Sequence, residues 1–428
     1  MMRWGLLGML AACGSMDLGA PCRTDEDCGP NGACWIDPVL VESRCVLECE
    51  SDADCDGNDV CLTMFDTQGC TNPLPDGMQP PTSRGLSSVQ CQAPVRGTTT
   101  LTFTIPPGTE SYMFVPFSTD GEPVRPVRLT LPNGDRLNFE GEDRQLATTA
   151  ALLGFTAPVF LDQVPGLSNL VQAGVHDYTV RTDTNELCSY VALESTSTPA
   201  QLDLNLYFVG LPDLSAEEGP DDSDLARTLA TLDRTFSGVG VTLGEVRYVE
   251  LEGPDVDDLT VIDERADLGR LVARSVEPGS SDSERLSVNV FLVSTIAIPN
   301  SDAIGISQGL PGPPGLHGTP ASGVVLTAEL LRLGSNEDPG LGAELTGVVM
   351  AHEVGHWLGL FHTTELTGTA ADPLLDTPEC PDIADRLENQ SLGGCPDVGN
   401  LMFPVAAIAN QTLTGDQGDV LRANPVTR

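Results

Sequence analysis

The sequence predicts a multidomain chain: a duplicated small disulfide-rich module, a β-sandwich, and an α/β (α+β) domain whose mixed sheet carries packed helices. Three observations predict this. A cysteine pattern near the N-terminus repeats with a shift of twenty-seven residues. Short period-two segments separated by turn residues begin at Thr98. Strand and helix patterns alternate from Leu202 onward and reach an apolar helix bearing three of the chain's five histidines. At 428 residues the chain is too long for one core. Its formal charge of −41, from 62 acidic and 21 basic residues, argues against nucleic acid and anionic membrane surfaces as partners, because both would repel it.

Residues 1–13 read as an export signal, with Arg3 as a short positive region and Trp4 to Leu10 as the apolar one. Leu10-Ala11-Ala12-Cys13 resembles a bacterial lipobox, which implies cleavage before Cys13 and a lipid on its thiol. No other stretch approaches a membrane span in length, so this lipid is the expected membrane attachment. The location expected is exported: a cell-surface or outer-membrane lipoprotein, or a secreted protein.

Residues 14–77 hold the repeat. Cys22, Cys28 and Cys34 are echoed by Cys49, Cys55 and Cys61, with Cys45 and Cys70 as the fourth members. Such a module buries too little apolar surface to fold without crosslinks. Zinc binding is the rival reading, opposed by the absence of C-x-x-C pairs and of histidine in the segment. With Cys13 lipidated, twelve of the thirteen cysteines remain, an even number that fits disulfides in an oxidising compartment.

Residues 78–96, rich in Pro, Gly and Ser, read as a linker. The sandwich is assigned to 97–200, with strands at Thr98 to Ile105, Tyr112 to Phe117, Val127 to Leu131 and Tyr178 to Thr182. Cys91 and Cys188 bracket this region and are assigned to each other. Residues 201–428 form the last domain. Leu202 to Val209 is a strand, Leu225, Leu229, Leu232 and Phe236 have helical spacing, and strands follow at Val241 to Leu251 and Leu286 to Ser294. Gly305 to Gly318, rich in Gly and Pro, is read as irregular, with His317 as a surface histidine; Gly323 to Thr327 is a short strand.

The stretch from His352 to His362 reads H-E-x-x-H-x-x-G-x-x-H. On a helix His352 and His356 lie on one face a turn apart, so both imidazoles can reach one ion. Gly359 can take positive φ, end the helix and turn the chain so that His362 returns to the same ion. Three imidazoles leave one coordination position open, which is the catalytic zinc pattern, and Glu353 beside them is placed to move a proton.

This motif resembles that of the metzincin zinc metalloendopeptidases. HEVGHWLGLFH, followed by Asp376-Thr377-Pro378 and Asn400-Leu401-Met402, is most similar to the pappalysin family. The resemblance is strong between Val349 and Pro404. It implies a zinc-dependent endopeptidase of extracellular proteins, with His352, His356 and His362 as ligands, Glu353 as general base and Met402 in the turn beneath the metal. It also implies a polypeptide substrate paired along an edge strand near Gly323 to Thr327. The chain departs from relatives at Pro404, where many carry a tyrosine, so the oxyanion must rely on metal and backbone groups.

Cys380 and Cys395, isolated from the other cysteines, are assigned to a local disulfide. Asp376 is read as holding a backbone turn. Calcium is a second candidate ion for the many acids, although no EF-hand loop is present. The competing function is a surface adhesion or binding lipoprotein with a non-catalytic protease-like domain. The intact Glu353 argues against it.

Overall fold

The computed structural model describes residues 32–37, 42–47, 60–64 and 67–71 with Cys28, Cys49 and Asp54, and residues 90–427 except 120–121, 123, 139–170, 195–199, 254–255, 276–285, 299–302, 320, 334–339 and 369–370. The expectations for the export signal, Cys13 and most of the linker lie outside these residues. No described helix is long and apolar enough to cross a membrane.

Each cysteine repeat contributes an antiparallel hairpin. The first pairs β1 (Gly32–Asp37) with β2 (Glu42–Leu47), and the second pairs β3 (Val60–Met64) with β4 (Thr67–Thr71). Cys34 faces Cys45 in the first, as Cys61 faces Cys70 in the second. Cys45 is bonded to Cys28, and Cys49 and Cys70 are also in disulfides.

Seven strands follow: β5 (Gln90–Gln92), β6 (Gly97–Ile105), β7 (Ser111–Ser118), β8 (Arg125–Thr130), β9 (Arg136–Asn138), β10 (Gly174–Thr182) and β11 (Leu187–Glu194). They form two antiparallel sheets, ordered β6-β10-β8-β9 and β5-β11-β7. The Cys91–Cys188 disulfide joins β5 to β11. On β6 the threonines at 100, 102 and 104 point outward, while Leu101, Phe103 and Ile105 enter a core shared with Tyr112, Phe114, Tyr178 and Val180.

Every residue of β7 is buried. Alternation along the strand sends Tyr112 and Phe114 into that shared core and Met113, Val115 and Phe117 to the opposite face. There they join Tyr190 and Ala192 of β11 in one core with residues from Ala200 onward. The three-stranded sheet is therefore a layer between two cores.

From Ala200 onward the chain runs through β12 (Ala200–Phe208), α1 (Ser223–Ser237), β13 (Val241–Glu250), α2 (Val256–Leu259), β14 (Val261–Ile262), α3 (Arg265–Val272), β15 (Ser287–Val293), β16 (Thr295–Ile296), β17 (Gly305–Ser307) and β18 (Val324–Thr327). It ends with α4 (Leu341–Leu358), α5 (Ile383–Glu388) and α6 (Gly415–Ala423). The main sheet has the order β13-β12-β15-β18-β17 and is parallel except for β17. Leu202, Leu204, Leu206 and Phe208 face α1 and α4; Tyr207, Phe291 and Val325 pack on the other face with Leu259, Leu268 and Leu271. Helix α1 starts on Asp222, whose carboxylate accepts from the backbone of Asp224 and Leu225, and it crosses α4 at Gly347, where a Cβ would lie 2.6 Å from Thr228 O.

Two expectations are corrected here. Gly323 to Thr327 is not an edge: β18 is paired on both sides, with β15 and β17. The end of the sheet is β17, which opens the Gly/Pro-rich segment expected to be irregular. Its three residues need only backbone hydrogen bonds, and Gly305 is required by contact, since a Cβ there would lie 2.7 Å from Glu353 Cγ and from Val349 Cγ1.

Candidate metal centre

Helix α4 is buried on nearly all sides, with the sheet beneath it and α1 alongside. His352 and His356 project from its last turns. The helix stops at Gly359, whose φ of +112° is open to glycine without a Cβ penalty, and Leu360 N–H donates back to Gly355 O. This reversal brings His362 under the helix. The three Nε2 atoms then converge, with separations of 3.1 Å (His356–His352), 3.1 Å (His356–His362) and 3.3 Å (His352–His362).

The Nδ1 atoms explain the convergence. His352 Nδ1–H donates to Leu401 O at 2.7 Å, His356 Nδ1–H to Leu360 O at 2.6 Å, and His362 Nδ1–H to Glu365 Oε2 at 3.0 Å. With the hydrogen fixed on Nδ1, each Nε2 carries a lone pair, and three lone pairs point at one another. Protonation of His352 or His356 is opposed: burial, reinforced by His362, pushes His352 down to about 3, and burial holds His356 well below its ordinary range. A cation among the three nitrogens relieves them. A tetrahedral zinc ion with Zn–N distances of about 2.0–2.1 Å sets its nitrogens about 3.3 Å apart, so the donor set fits that ion.

Met402 lies beneath α4, with its Sδ 3.0 Å from where a Cβ on Gly355 would sit. The turn around it serves the cluster through its backbone. Leu401 O orients His352, and Met402 O accepts from Thr363 N–H at 3.0 Å, next to His362. Asn400 fixes the turn, its Oδ1 accepting from Met402 N–H while its amide exchanges hydrogen bonds with Gln417 of α6.

Glu353 is buried next to His352 in the chain and against Gly305 at the sheet end. Cys380 and Cys395 are bonded, and Cys380 N–H donates to Thr364 Oγ1 at 2.8 Å, tying that loop to the residues after His362. Buried Asp397 accepts from both Thr363 and Thr364. Asp376 accepts from Asp416 N–H at 2.9 Å and so holds a backbone turn at the start of α6. The other His/Cys/Asp/Glu groupings of metal-ligand spacing among the described residues rest on disulfide-bonded cysteines.

His317 is not at the surface. It is buried, with Nδ1 accepting from Asn289 Nδ2 at 3.1 Å, and burial pushes its pKa down to about 4. The polar half of the sheet's second face, where Asn205, Ser287 and Asn289 are hydrogen-bonded together, gives a histidine an interior place. Sequence reasoning also missed Glu365 and Gly305. The only written signal for Glu365 is its position three residues after the third histidine.

No protein-family model matches this sequence, and no curated protein does. Among solved structures, the chain is similar to archaemetzincin from Methanopyrus kandleri, with 16% identity over 54% of this chain and 91% of that one and a TM-score of 0.27. It is also similar to a zinc-dependent peptidase from Methanocorpusculum labreanum, with 12% identity over 51% and 94% and a TM-score of 0.25. A third likeness is to metalloproteinase-II from Bacteroides fragilis, with 14% identity over 46% and 53% and a TM-score of 0.25.

Proposed function

We propose that this chain is a zinc-dependent endopeptidase of the metzincin type, nearest in motif to the pappalysins, acting on polypeptides outside the cell. One observation carries the reading: three buried imidazoles, each with its Nδ1 hydrogen committed, direct their Nε2 lone pairs at a common point. His352, His356 and His362 would hold the ion. Zinc, when bound, polarises the scissile carbonyl and lowers the pKa of water at the open position.

Glu353 then takes a proton from the attacking water and delivers it to the nitrogen of the leaving amine. Its place suits this exchange, because it is buried next to His352 in the chain and against Gly305 at the end of the sheet. An extended substrate backbone would pair with β17, the end strand that lies against Glu353, rather than with β18. Backbone pairing reads no side chain, which is why a polypeptide is the substrate class. The signal-like residues before Cys13 support export and a lipid anchor.

Casein cleavage by the purified protein, with metal content measured in parallel, tests the reading. One zinc per chain, activity lost to a chelator and restored by zinc, is the expected result. Cleavage indifferent to metal removal, or a metal-free protein that takes up no zinc, would sink it.

A further inference from the structure

Two of the three proposed ligands are oriented by neutral backbone carbonyls and one by a carboxylate, and the difference follows from where each sits. His352 and His356 are framed by α4, and the carbonyls of Leu401 and Leu360 have only to finish their alignment. His362 lies beyond Gly359, outside any helix, so its ring has no such frame. Glu365 Oε2 supplies one at 3.0 Å.

Glu365 is 3% exposed. A carboxylate taken out of water needs a cationic counterpart, and among the described residues its ion-pairing partner is the His362 ring. A neutral imidazole answers that need poorly. An imidazole bearing a divalent ion answers it well, because the ion polarises the Nδ1–H bond toward the carboxylate. Three neutral histidines around a dication leave a charge of about +2 in a buried site. Two buried carboxylates, Glu353 and Glu365, oppose it. Glu353 is assigned the proton transfer; Glu365 stands behind a proposed ligand, on the far side of the His362 ring from its Nε2.

We propose that Glu365 is a positioning residue that fixes the His362 ring and sets the protein's affinity for zinc. This rests on the zinc reading above. The full-length protein is stripped of metal, and zinc affinity is measured by competition with a chromophoric chelator for wild type, Glu365→Gln and Glu365→Ala, with the melting temperature of each metal-free form taken alongside. Glu365→Gln keeps an acceptor oxygen and removes the charge; affinity should fall about tenfold. Glu365→Ala removes both, and affinity should fall about a hundredfold. Cobalt(II) bound to the Ala variant should show an altered visible spectrum, since the His362 ring is no longer held in one orientation.

Wild-type zinc affinity in both variants would overturn the proposal while leaving the zinc site standing. So would a lower metal-free melting temperature with unchanged affinity, which is the mark of a purely structural carboxylate. A wild-type protein that binds no zinc overturns both readings together. If the Ala variant does not fold, the Gln variant decides alone, because its shape is that of glutamate.

Discussion

The histidine cluster and the three-stranded sheet β5-β11-β7 are both buried, but opposite demands hold them in place. In the cluster each ring is fixed by one directed hydrogen bond, to Leu401 O, Leu360 O or Glu365. In the sheet, Met113, Val115 and Phe117 fill one core and Tyr112 and Phe114 another, through contacts without direction. Chemistry and cohesion thus fall to different residues, and substitutions should separate them.

The largest expected effect lies in the cluster. Glu353→Gln preserves shape and deletes the proton acceptor, so kcat/KM for a fluorogenic peptide should drop by about a hundredfold to ten-thousandfold, with zinc content and melting temperature unchanged. Wild-type turnover would remove Glu353 from its role. The converse change is Phe117→Ala. Phe117 is buried against Tyr190, with ring centroids 6.1 Å apart, and its loss should cost about 3–5 kcal/mol in urea unfolding. Zinc affinity of the folded protein should not move. For the same reason a fragment starting at Leu202 should be poorly soluble, since it uncovers the apolar surface on which this sheet packs.

A third test uses pH. Burial keeps His317 neutral in the folded protein down to about 4, while the unfolded chain protonates it near the ordinary histidine value of about 6.5. Between those values the unfolded state holds the extra proton, so stability falls as pH falls through the window. The contribution is on the order of 3 kcal/mol. Asp372, pushed up to about 7 mainly by burial, acts in the opposite sense: its contribution is full below the ordinary carboxylate range and is lost as pH rises through about 7. Comparing wild type with His317→Asn cancels the Asp372 effect. The variant should show a shallower acid loss between pH 6.5 and 4, and identical slopes would mean that His317 is not buried neutral.

The smallest effect belongs to the contact that joins the two regions. Tyr190 Oη donates to Pro314 O at 2.8 Å, in the segment where Gly312 packs on the Trp357 indole at the end of α4. Tyr190→Phe should cost about 1–3 kcal/mol by leaving a buried carbonyl unpaired. A rise in KM at constant zinc affinity would show that the sheet also sets the wall of the cleft; an unchanged KM would keep the two regions separate.

The parts legible in sequence are those where chemistry restricts residue type. His352, Glu353, His356, Gly359 and His362 announce themselves because few other residues can do what each does at its spacing. Leu360 and Leu401 act through carbonyls that any residue possesses, and no reading of side chains finds them. Glu365 is one acid among 62 Asp and Glu residues, so its type carries no signal. Strand β11 escaped notice because Tyr190 and Ala192 pack on one core and Leu187 on the other, which erases the polar alternation that made β6 readable. The end strand β17 was hidden by Gly305, the glycine that lets it lie against α4.

The turn at Asn400–Phe403 bears on the order in which a newly made chain becomes competent. All three histidines and Glu353 are synthesised before it, but His352 has no carbonyl to hold its ring until Leu401 arrives, and Asn400 is not fixed until Gln417 follows. Asn424 then closes on Leu358 O at the end of α4. The histidine cluster is thus completed by residues that follow it in the chain, so a nascent chain still short of them holds His356 and His362 with their acceptors and His352 without its own.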